Sequence, residues 1–288
     1  MTVNDTALNS DLSLAQGWSG ALHLFFARRR NATKIVHRYT QSPFKLQRPF
    51  YPEGPDVCHS VMLHTAGGLV GGDRLQVDLT LDSEAQALVT SAAASKVYRS
   101  AGAPAQQRIN IAIGPNACLE WFPQETILFD GAHYRQHLQV SLAKNAMLTG
   151  WDIVRLGRSA RQETFQHGTW RTLTAITQDE CPIWIDPQSL TGGSDLLAGP
   201  TGMADHPVVA TFFAIGRDVP RSLVEACRQW PEAAGCEADL GATRLISGLL
   251  CRYRGSSTAQ AKQWFEYVWG LTRHYHSGRA ICRPRVWP

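Results

Sequence analysis

Charge is scarce in this chain. Asp, Glu, Lys and Arg make up 18% of its 288 residues, against roughly one quarter in an average globular protein. Such a composition fits either a surface partly covered by partners or a large all-β domain. The hydrophobic share of 44% excludes a disordered or fibrous chain. No Gly-Lys-Ser/Thr follows the glycines, so there is no Walker A loop, and no Gly-x-Gly-x-x-Gly dinucleotide fingerprint is present. The Gly-x-Ser-x-Gly elbow and the His-Glu-x-x-His zinc motif are missing too. The seven cysteines are an odd number without any Cys-x-x-Cys pair, which argues against zinc ribbons and disulfide frameworks and for a reducing compartment. No apolar run approaches the roughly 20 residues that span a bilayer, and the polar stretch Met1–Ser13 lacks a signal pattern. The expectation is a cytoplasmic protein without a membrane partner. The net charge of +4 is spread thinly. Its one basic run, Arg28-Arg29-Arg30, reads as a solvated turn between strands, so no nucleic-acid partner is expected.

What is present is alternation. Leu75, Val77, Leu79 and Leu81 alternate with polar residues, as do Leu138, Val140 and Leu142, and Ile111 and Ile113 precede the turn Gly114-Pro115-Asn116. Each is the period of a half-buried strand. Val208 to Ile215 is apolar but for Thr211 and reads as a buried strand. Two helical patterns come late. One opens at Pro220 with Asp218 as a plausible cap and carries Leu223, Ala226, Cys227 and Trp230; the other follows a serine cap after Gly255 and carries Ala261, Trp264, Phe265 and Val268. Residues 187–206 are rich in Gly, Pro and Ser and read as a long loop. No internal repeat is visible. These features predict a flexible N-terminus over 1–16 and one large, mainly β domain over 17–288, with two α-helices in the C-terminal third.

Several polar residues sit in apolar surroundings. The run Gly67-Gly68-Leu69-Val70-Gly71-Gly72-Asp73 lies between two strands, so its glycines serve a tight connection or a close backbone approach, not a phosphate. Asp73 shares the parity of Leu75 and is expected on the apolar face, where a carboxylate needs a partner, a proton or a metal. Lys96, in the run from Ser91 to Arg99, is a candidate to neutralise Asp73 or Asp152. Pro123 interrupts a strand that leads to Glu125 and to the turn Asp130-Gly131. Asp152 is flanked by Trp151 and Ile153 and shares the parity of Val154 and Leu156, so burial is expected, with Arg158 a natural carboxylate partner. Cys58 and His64 are candidate weak metal ligands; no trio has the spacing of a tight site.

These segments, in order, resemble the urease accessory protein D (also called H) family. The likeness rests on Gln47 to Glu53, on His64 with the glycine run and Asp73, on Ala94 to Arg99, and on Leu119 to Gln124. It continues through Trp151-Asp152 with Leu156-Gly157-Arg158, Glu163-Thr164-Phe165 and the ending Pro284 to Trp287. It covers the chain from about Gly17 to the C-terminus. The resemblance implies stacked, β-helix-like strands. It implies a non-catalytic chaperone that works with accessory proteins F and G, G being the GTPase, to insert nickel into apo-urease, with a carrier E supplying the metal. By motif it carries an internal nickel route onto Asp73, Ser95, Lys96 and Asp152, with Glu125, Arg158 and Glu163 beside them. No tightly bound cofactor is implied, only transient Ni(II). The rival readings are a purely scaffolding adaptor and, more distantly, a β-helical carbohydrate-active enzyme.

Overall fold

A computed structural model describes residues 17–230 and 237–287; the N-terminal segment 1–16 lies outside the described residues. The chain opens with a hairpin of β1 (Ser19–Arg29) and β2 (Ala32–Gln41). Arg30, at φ 55°, turns it, so the arginine run does join two strands, and Arg28 pairs with Asp56 at 2.8 Å. A short β3 (Phe44–Leu46) then pairs antiparallel with β4 (Val57–His64).

From β4 the chain winds as a solenoid. β5 (Arg74–Leu81) lies in one sheet and β6 (Gln86–Ser91) in the other. After β7 (Ser95–Val97), β8 (Ala105–Ile113) returns to the first sheet and β9 (Cys118–Phe122) to the second. After β10 (Thr126–Leu128), the alternation continues with β11 (His133–Leu142), β12 (Met147–Leu156) and β13 (Thr169–Gln178). Each strand lies parallel to the one laid down a coil earlier. The short β7 and β10 make a third side, where Leu69, Val97, Leu128 and Leu156 stand in register as one buried column. The glycine run, the Ser95–Arg99 segment, the Thr126–Gly131 segment and the Val154–Arg158 segment are therefore the same corner of successive coils.

No internal repeat is legible in the sequence, yet the coils repeat. At the opposite corner Glu84, Asn116 and Asn145 adopt the left-handed conformation, at φ 61°, 57° and 58°. Each is followed by an alanine (Ala85, Ala117, Ala146) that is fully buried. One coil asks only for a tight turn, a small residue beneath it and alternating apolar strands, which many sequences satisfy.

Beyond β13 the first sheet ends with the antiparallel β14 (Cys181–Thr191). The long loop expected over 187–206 thus begins only at Gly192, because Pro187 sits on a sheet-edge strand, where a missing N–H is tolerated. The second sheet is extended by β15 (Val208–Ile215), β16 (Asp239–Leu245) and β17 (Gly248–Gly255), all antiparallel. Two helices follow the prediction in place. α1 (Arg221–Arg228) starts after Pro220 with no side-chain cap, so Asp218 does not cap it, and Trp230 packs from beyond its end. α2 (Thr258–Ser277) is capped by Ser257, whose hydroxyl accepts from the Gln260 N–H at 3.2 Å.

Two cores result. One fills the solenoid, with Val89, Leu119 and Leu148 facing Leu79, Ile111 and Val140. The other lies between the outer face of the second sheet and the helices. There Phe122 packs against Trp151 at 4.3 Å and Trp269 at 4.9 Å between ring centroids. Large aromatic surfaces of this kind carry much of the burial that fixes the helices on the sheet. No helix is long and apolar enough to cross a membrane among the described residues.

Candidate functional site

The solenoid interior is not uniformly apolar. In the first sheet the register row Leu75, Gln107, Gln136, Thr172 turns polar after its first coil. Gln107 and Gln136 share the inward parity of Ile109 and Leu138 and line a small cavity of about 30 Å³ together with Asp152. The Tyr134 hydroxyl lies 2.9 Å from Gln107 Oε1 and 3.0 Å from Gln136 Oε1. The Gln136 amide Nε2 donates to Asp152 Oδ2 at 2.9 Å. Beyond Asp152 the polar row continues: Arg252 bonds Asp186 and Thr211, each at 2.6 Å, and Gln188 donates to Asp186 at 2.8 Å.

A second cavity, of about 370 Å³, opens at the third side and is bordered by His64, Gly67, Gly68 and Lys96. It meets the small one at Ser95, Gln107, Trp121 and Pro123, which line both. The junction exists because Pro123 ends β9 and leaves a gap of three residues before β10. The inner cavity has room for a water molecule or a bare cation, not for a hydrated ion.

Electrostatics set Asp152 apart. Burial pushes its carboxyl up to about 6, the nearby Asp186 adding to the rise, while the Gln136 bond and Arg252 oppose it. His64, at the outer cavity, is held below the usual imidazole range by burial, against the opposing pull of Asp73. The donors along the row are oxygens, with His64 the exception at the mouth. Oxygen donors of this kind are hard ligands, which hold a borderline divalent ion less firmly than imidazole or thiolate does.

Not every residue singled out in the sequence joins this row. Ser95, Lys96, His64 and Asp152 line the two cavities. Lys96 is exposed at the mouth and forms no ion pair among the described residues, so it neutralises neither Asp73 nor Asp152 by contact. Asp73 is buried just before β5, and its partners are backbone groups: it accepts from the Trp18 N–H at 2.8 Å and the Val70 N–H at 2.9 Å. It therefore clamps the glycine loop to the start of β1. Within that loop Gly67 and Gly72 have φ of 77° and 91°. A Cβ on Gly68 would stand 2.4 Å from the Tyr98 ring, and one on Gly71 would meet Ser100 Oγ.

Arg158 pairs with Glu163, whose second oxygen accepts from the Asp130 N–H at 3.0 Å, on the outside of the third side. Glu125 is half-buried away from the cavities, close enough to Lys262 to act on its charge. Cys58 is fully buried in the solenoid core, and its thiol is pushed up by that burial. Sequence reasoning missed Gln107, Tyr134, Gln136, Asp186 and Arg252. Extending the parity of Leu138 back to Gln136 and Tyr134, and that of Ile109 back to Gln107, finds three of them.

Comparison with known proteins agrees along the whole chain. The family model of the UreD urease accessory protein matches residues 19–288. A urease accessory protein UreD of Nostoc punctiforme is 51% identical over 275 residues, covering 95% of this chain and 97% of that protein. The UreD of Acaryochloris marina is 50% identical over 279 residues, covering 97% of each. That of an Azoarcus species is 39% identical over 272 residues, covering 94% of each. The chain thus belongs to the UreD family of urease accessory proteins.

Proposed function

We propose that this protein is a non-catalytic urease maturation chaperone that carries Ni(II) through the solenoid interior on its way to apo-urease. Accessory proteins F and G are its partners in a cytosolic complex, GTP hydrolysis by G drives insertion, and a separate carrier E delivers the metal. The observation that carries the reading is the pair of cavities meeting at Ser95 and ending on Asp152. The outer cavity admits the ion beside His64 and Lys96. Passage into the inner one strips its water, with Gln107, Gln136 and Tyr134 replacing part of that shell. Asp152 then holds the cation in place of a proton, and beyond it the row ends at Asp186, which is ion-paired with Arg252. Oxygen ligation makes each stop shallow, which transport needs.

The test is reconstitution. The chain is co-purified with F, G and apo-urease, then Ni(II), bicarbonate and GTP are added and urease activity is measured. Activation that requires this chain and GTP supports the chaperone role. Equal activation without the chain removes it.

A further inference from the structure

Alternation along β4 separates Cys58, which points into the solenoid, from His59, which points out of it. His59 is 1% exposed, and its Nε2 lies 2.7 Å from Glu53 Oε1. Its Nδ1 is buried with no hydrogen-bond partner, so the Nε2 contact orients the ring. The third member of the cluster comes from the other end of the chain. Cys282 sits on the segment that follows α2, held down by Trp287, whose indole N–H donates to Thr90 Oγ1 at 2.9 Å. One donor atom each from Glu53, His59 and Cys282 falls within 4.8 Å of the other two.

We infer that Glu53, His59 and Cys282 form a second divalent-metal site, on the outer face of the second sheet, suited to a borderline ion such as Ni(II). Three donors of nitrogen, sulfur and oxygen type select a borderline transition metal over Mg²⁺ or Ca²⁺. They leave a coordination position open, as exchangeable sites do. The electrostatics allow a cation. Arg273 is shared between two carboxylates, at 2.8 Å from Glu53 and 3.0 Å from Glu120. It therefore cannot offset both. Binding replaces three waters of the aqueous ion by three protein donors; the Cys282 thiol releases its proton to water, the His59 Nε2–Glu53 hydrogen bond breaks, and the His59 proton moves from Nε2 to Nδ1. Because the donors span residues 53 to 282, an occupied site fastens the C-terminal segment to the sheet. The site is separate from the interior row and does not depend on it.

The probe is nickel chloride added to the full chain in a Cys181→Ser background, which removes the one thiol that is exposed among the described residues. The inference expects a thiolate-to-nickel charge-transfer absorption that disappears when Cys282→Ser is added, with affinity down at least about tenfold. Glu53→Gln keeps the band and weakens binding. Asp152→Asn leaves the band, and the nickel concentration that half-forms it, unchanged, while any band-silent nickel bound at the interior row is lost, which separates this site from the interior route. A band that survives Cys282→Ser, or no band in the Cys181→Ser protein, overturns the inference.

Discussion

Asp152→Asn should make the folded chain more stable while depriving the interior row of its carboxylate. The Asp152 carboxyl is raised from 3.8 to about 6, chiefly by burial. At about 1.4 kcal/mol per unit, ionising it inside the fold costs roughly 3 kcal/mol more than in the unfolded chain, less what water in the cavity screens, so about 2–3 kcal/mol. The sign follows from linkage. The folded state binds this proton more tightly, so the group is harmless below the unfolded value. Stability then falls as pH rises towards about 6 and stays low above it. An asparagine does not titrate, and its Oδ1 can still accept from Gln136. Urea denaturation of both proteins should therefore give a higher midpoint for the variant at about pH 8, by roughly 2–3 kcal/mol, and converging midpoints at about pH 4. A difference that does not change with pH, or a variant less stable at the higher pH, would refute the assignment. A carboxylate kept at this cost fits the interior route proposed for it.

Two further perturbations test the frame around the row. Gly68→Ala places a Cβ 2.4 Å from the Tyr98 ring and 2.8 Å from the Lys96 carbonyl, so thermal unfolding should show a loss of about 1–3 kcal/mol. Arg273→Met leaves the buried Glu120 and the half-buried Glu53 without their shared cation, and urea titration should report a loss of about 3–5 kcal/mol; a neutral result would mean that the Arg273–Glu120 pair is not buried as described.

Much of the fold is legible in the sequence where one face of a strand is buried. β15 was readable to both ends because Val208–Ile215 is apolar at every position but Thr211 and packs on both faces. β5 was readable because its parity never breaks. The coil repeat was not, since it is written in single residues such as Asn116-Ala117 and Asn145-Ala146, not in a recurring motif. The site was half legible. Asp152 stands in a segment whose parity implies burial, whereas Ser95 was reached only through the family resemblance. Gln107 and Gln136 looked like ordinary strand polar residues, because glutamine faces solvent in most strands and only their register with Ile109 and Leu138 turns them inward. Asp73 was expected to need a partner, and it has one in two backbone N–H groups that sequence spacing does not reveal.

The central claim is that nickel passes through the interior at Ser95, where the two cavities meet. Ser95→Phe fills that junction, and Ser95→Ala leaves it open. Both variants should still co-purify with F, G and apo-urease. The nickel content of urease activated through each complex is the direct measurement. The account predicts near-normal nickel with Ser95→Ala and a large loss with Ser95→Phe. Full nickel loading through an intact Ser95→Phe complex would contradict it.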